Sequence, residues 1–160
     1  MRQRNHLSLA GGVSRHRRSP GGIAMSLADL DLCCFDDFSR VATRLHRIHL
    51  SHFFAAVLLD PTGRVIDLTV QADPWSDIHS AIERAGRVVS TDDRVSEFVL
   101  LSSIADPSRH HDIDLLVFRL TREGFEEIGV DLLDWLCTDG SAVTSIAERS
   151  GHDPWFRRDP

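Results

Sequence analysis

The run His110-His111-Asp112-Ile113-Asp114 is the densest group of metal-ligating and acid–base side chains in the chain. Neutral imidazole and carboxylate are the donors that hold zinc, and a site with one open position activates a bound water. Consecutive histidines at a helix start can converge with Asp114, and His79 can add a ligand from a preceding helix. The plainer assignment is a solvated loop in which Asp112 caps a helix through its side-chain oxygen. It is preferred here, because adjacent side chains diverge and no fixed-spacing metal motif such as H-E-x-x-H occurs.

Other reactive residue types are more scattered. His46, His49 and His52 follow at steps of three, a row that could bind metal but better fits the polar flank of a helix end, where a cationic ring suits the helix dipole. Asp67 and Thr69 form a polar pair on one face of a strand, as a half-exposed edge would. Cys33, Cys34 and Cys137 are odd in number and lack paired spacing, which argues against a disulfide framework and for a reducing, cytoplasmic setting. Cys137 reads as a small buried hydrophobe. Trp75, Trp135 and Trp155 are too dispersed for a base-stacking platform. Neither a glycine-rich phosphate loop nor a nucleophile elbow is present.

The elements that would position these groups follow from periodicity. Ser26-Leu27-Ala28-Asp29 resembles a capping box, and Leu27, Leu30, Cys34, Phe38, Val41, Leu45 and Ile48 then share one helical face. His52–Leu59 is a compact apolar strand, Asp60-Pro61-Thr62-Gly63 a turn, and Arg64–Gln71 an alternating strand with Ile66, Leu68 and Val70 on one face. Ser76 is expected to cap a second helix whose inward residues are Ile78, Ala81, Ile82, Ala85, Val88 and Val89. Glu97–Ser102 is a continuously apolar strand, covered on both faces. A third helix from Asp114 turns Leu116, Val117, Leu120 and Ile128 inward and ends at Gly129. Asp131–Cys137 and Ala142–Ile146 are strands joined by a turn at Asp139-Gly140. The resulting order, α-β-β-α-β-α-β-β, is an α/β (α+β) protein with a mixed sheet flanked by helices.

Charge and composition bound the partners. The 160 residues carry 18 basic and 24 acidic side chains, and every basic one is an arginine. Residues 1–24 hold five arginines and no acid and lack apolar periodicity, so they read as a disordered leader. Met25 opens the structured region and is as good a start codon as Met1. The domain occupies residues 25–150, and residues 151–160 form a polar tail. Without its leader the chain has 13 arginines against 24 acids, a body poorly suited to nucleic-acid phosphates. No apolar run reaches the roughly 18–20 residues that cross a bilayer, so no membrane partner is expected.

Four strings resemble the C-terminal domain of the RadC family, a branch of the JAB/MPN (JAMM) metallohydrolases. They are Leu58-Leu59-Asp60-Pro61-Thr62-Gly63-Arg64-Val65-Ile66, Phe98-Val99-Leu100-Leu101, Asp106-Pro107-Ser108 with Asp112-Ile113 or Asp114-Leu115, and Gly129-Val130-Asp131-Leu132-Leu133-Asp134-Trp135-Leu136 followed by Asp139-Gly140. The last is the most specific. The resemblance spans roughly Asp36 to Gly151 and implies the family's cytidine-deaminase-like three-layer arrangement. It also implies a zinc held by two histidines in His-x-His-Pro and a later Asp, with an upstream Glu as base. Here the His-x-His positions fall in Leu100–Ser103, without histidine, and the Glu position falls near Thr69, two residues from Asp67. The Asp persists as Asp114, or as Asp112 if the helix carries an insertion.

The chain is therefore expected to be a noncatalytic binding domain with a protein partner, no catalytic residue, no metal and no other cofactor. Two alternatives stand beside it. One is a zinc-dependent hydrolase, isopeptidase-like, with a rearranged site drawn from His110, His111, Asp112 and Asp114. The other is a stable decayed gene product.

Overall fold

The computed structural model describes residues 32, 34–49, 52–103 and 112–152. The leader, the Ser26 cap, Cys33, His110, His111 and Trp155 lie outside the described residues. Five strands form one mixed sheet in the order β2-β1-β3-β4-β5, comprising β1 (Phe54–Leu59), β2 (Val65–Gln71), β3 (Glu97–Ser103), β4 (Asp131–Thr138) and β5 (Val143–Ser145). Only β3 and β4 run parallel; the other neighbours are antiparallel. That parallel pair requires a crossover, supplied by helix α3 (Asp112–Glu126).

Helices cover both faces of the sheet. Helix α1 (Phe35–Ile48) buries Phe38, Val41, Ala42 and Leu45, a stripe at steps of three and four, against Ala55, Val57, Leu59, Val99, Leu101 and Leu136. Helices α2 (Ile78–Val89), α3 and α4 (Ile146–Arg149) pack on the other face, against Ala56, Leu58, Phe98, Leu100 and Leu132. Strand β3 thus has both faces covered, as its unbroken apolar run requires. None of the helices among the described residues is long and apolar enough to cross a membrane.

Several element boundaries differ from the sequence expectation. Helix α1 starts at Phe35, after an extended Cys34, and both Cys34 and Ile48 are exposed rather than inward. Helix α2 is capped by Asp77, one residue past Ser76: Asp77 accepts from the Ser80 N–H while Ser80 Oγ accepts from the Asp77 N–H. Ser76 instead donates to Asp73. In β2 a bulge opposite Leu58 and Leu59 turns Ile66 toward α2 and α3, whereas Leu68 and Val70 face α1. Ile146 leaves the last strand and begins α4, with Ser145 Oγ capping the Glu148 N–H.

Helix α3 departs furthest. Its buried residues are Phe118 and Phe125, flanked by Leu115 and Val117. Leu116, Leu120 and Ile128, expected inward, are 50%, 59% and 63% exposed. The helix carries apolar side chains on both sides, and the two phenyl rings bury more area than the aliphatic stripe would. Its described span begins at Asp112, an exposed residue of its first turn. Gly129, at φ 78°, closes it as expected: the Val130 N–H bonds the Phe125 carbonyl and the Gly129 N–H bonds the Glu126 carbonyl.

Candidate functional site

Parallel strands present their carboxyl ends together, and in open α/β sheets that is where ligands bind. Here the ends of β3 and β4 and the first turns of α2 and α3 enclose a cleft of about 280 Å³. Its lining is Phe54, Asp77, Ile78, Ser102, Ser103, Asp114, Trp135 and Cys137.

The polar groups of this cleft are engaged with one another. The indole N–H of Trp135 donates to Ser102 Oγ at 2.9 Å, and Ser102 Oγ lies 3.4 Å from Cys137 Sγ. Trp135 and Cys137 are two residues apart on a strand, so they share a face, and Ser102 meets them from the neighbouring strand. Ser103 points the other way and accepts from the Phe53 N–H at 2.9 Å. Asp77 accepts from Ser80 N and Oγ at 2.8 and 2.6 Å, and that hydroxyl holds its carboxyl below the usual range.

Cys137 is a poor nucleophile in this setting. Burial pushes its thiol up to about 12, against a partial offset from the Ser102 hydrogen bond, and the Asp114 and Asp134 carboxylates push it further up. Asp134, fully buried beside the cleft, accepts from the N–H groups of Trp135 at 2.7 Å and Ala147 at 3.0 Å. It thereby fixes the start of α4 to β4.

The candidate residues from the sequence separate clearly. Asp114 lines the cleft, while Asp112 is exposed and does not. His79 is exposed on α2 and is not part of the lining, although its neighbours Asp77 and Ile78 are. Asp67 and Thr69 share a face, as expected, but neither reaches the cleft; Thr69 is buried opposite Ala56, and Asp67 is exposed. The histidine row is broken because α1 ends at Ile48: His46 abuts Gly140, His49 packs against Phe53, and His52 meets Phe54 edge-on. Among the described residues no three His, Cys, Asp or Glu side chains are grouped so as to hold a metal.

Sequence reading missed the Ser102–Trp135–Cys137 cluster and the buried Asp134. The available signal was two serines ending an apolar strand, facing a strand with Trp and Cys at alternate positions. No family model matches this chain, and no curated protein is similar enough to count as a match.

Proposed function

We propose that the chain is a RadC-like JAB/MPN domain whose metal-binding cleft has lost its ligands, and that it works in the cytoplasm by binding a protein partner. One observation carries this reading. Ser102, within the Leu100–Ser103 stretch where the resemblance would put the His-x-His ligands, is committed to the Trp135 indole and the Cys137 thiol. Further support comes from the mixed sheet flanked by helices and from Asp114 facing the cleft at the start of α3.

The donors in this cleft do not fit zinc. Neutral imidazole, carboxylate and thiolate are its ligands. The cleft offers one α3 carboxylate, hydroxyls already hydrogen-bonded, a second carboxylate occupied in capping α2, and a thiol held protonated at neutral pH.

The hydrolase alternative draws on a single feature, the placement of Asp114 in the cleft three residues after His111 in sequence. Elemental analysis of the purified full chain separates the two readings. Substoichiometric zinc, unchanged by His110→Ala/His111→Ala, is expected; stoichiometric zinc lost in that variant would falsify the binding-domain reading.

A further inference from the structure

On the opposite face of the sheet, a groove of about 800 Å³ runs between α1 and the β4–β5 turn. Arg40, Arg44 and Arg47 line it at steps of four and three, one side of a helix. Phe35, Ile48 and Val143 add apolar contacts.

Two features of this groove are unresolved within the chain itself. Arg44 and Arg47 make no ion pair among the described residues, although acids outnumber arginines in the body of the protein; Arg40 has only Asp37, at 3.7 Å. Ser39 also lines the groove, and its hydroxyl oxygen is buried without a hydrogen-bond partner among the described residues. A buried polar atom left unpaired is destabilising unless water or a ligand supplies the partner. The groove also borders β5, the last strand of the sheet, whose outer edge pairs with no strand among the described residues. Such an edge accepts an added strand.

We infer that this groove binds an extended acidic segment of a partner protein, laid beside β5 with its carboxylates on Arg44 and Arg47. Arginine forks match carboxylates with two parallel hydrogen bonds. The 14 residues of α1 span roughly 20 Å, the length of about six extended residues, so one helix covers one added strand. An apolar residue in the segment meets Val143 and Ile48. Nucleic acid fits less well, because no exposed aromatic side chain lines the groove as a stacking surface. The inference does not rest on the cleft, which lies across the sheet.

The test is fluorescence anisotropy of the full chain with a labelled peptide of alternating glutamate and leucine. Saturable binding is expected, weakened about tenfold or more by Arg44→Glu/Arg47→Glu and by replacing the peptide's glutamates with glutamine. N-methylation of alternate peptide amides should also abolish it, since strand pairing needs those N–H groups. Arg44→Ala/Arg47→Ala, truncations of one half-buried and one exposed side chain outside the buried core, should weaken binding in the same direction. Equal affinity for the glutamine peptide, binding indifferent to the arginine variants, or displacement by a single-stranded oligonucleotide of matching length at lower concentration each overturns the proposal.

Discussion

The imidazole of His46 fills the space that a side chain on Gly140 would need: its Cδ2 and Nε2 atoms stand 2.5 and 2.7 Å from the position of a Cβ there. This contact seats α1 on the β4–β5 turn. Gly140 is also left-handed, at φ 91°, so two separate costs oppose any side chain at this position. Gly129 has a similar φ of 78° but open space around it.

The pair gives a graded prediction. Gly129→Ala should cost about 1 kcal/mol from backbone strain alone, and Gly140→Ala about 2–3 kcal/mol, measured by urea denaturation. His46→Ala in the Gly140→Ala background should recover the steric part. A double-mutant cycle with no coupling would remove His46 as the obstruction.

Ser102 is the acceptor for a buried indole N–H. Ser102→Ala should destabilise by about 1–3 kcal/mol, because Trp135 Nε1 loses its partner. Trp135→Phe added to Ser102→Ala should then cost less than the sum of the two single changes. Strict additivity would mean that the hydrogen bond contributes nothing.

The orientation of α3 is testable by contrast. Phe118→Ala should cost about 3–5 kcal/mol through loss of buried area and cavity formation, and Leu120→Ser should stay within about 0.5 kcal/mol. Comparable losses at both sites would show that the outward stripe is not solvent-facing.

Thiol chemistry separates Cys34 from Cys137. Cys34 is exposed, and Cys137 is buried with its thiol pushed up to about 12. In a Cys33→Ser/Cys34→Ser variant, the remaining thiol should resist Ellman's reagent at pH 8 until the chain unfolds. The raised value favours the protonated fold. The corresponding stability is complete below the ordinary thiol value of 9.0 and is lost as pH rises toward 12, and Cys137→Ala should flatten that loss.

Acid acts in the reverse sense on the β4–β5 turn. Asp139 accepts from Ala142 N and from Ser141 N and Oγ, each at 2.8 Å, and the backbone N–H groups of Ala142 and Ser141 hold its carboxyl at about 2. Its contribution is present above the ordinary value of 3.8 and is lost as pH falls through about 2. Asp139→Asn keeps an acceptor oxygen but cannot titrate. Its urea midpoint should therefore fall less steeply across that window than that of the wild-type chain.

Local chemistry was legible wherever one residue type dictates one backbone geometry. The Asp60-Pro61-Thr62-Gly63 turn between β1 and β2 is present, with Gly63 at φ 83° and Asp60 accepting from Thr62 and Arg64. Gly129 ends α3, and Asp139-Gly140 turns β4 into β5. Of the candidate site, the resemblance placed its carboxylate at Asp114 or Asp112; Asp114 lines the cleft together with Asp77, which the sequence reading did not propose, and Asp112 does not. Spacing could not show that Ser102 would meet Trp135 and Cys137, since those residues are more than 30 positions apart and their contact depends on the β3–β4 register.

By itself, then, the sequence determined the kinds and order of the elements from α1 to β5, their turns, the Gly129 helix end and the apolar character of β3, because these follow from backbone sterics and periodicity within a few residues. Tertiary structure alone decided which of two apolar faces of α3 turns inward, where the bulge re-aims Ile66, and how α1 and β5 frame an arginine groove. Each of those outcomes depends on competition between surfaces brought together from distant parts of the chain, and short-range pattern carries no information about which surface buries more area.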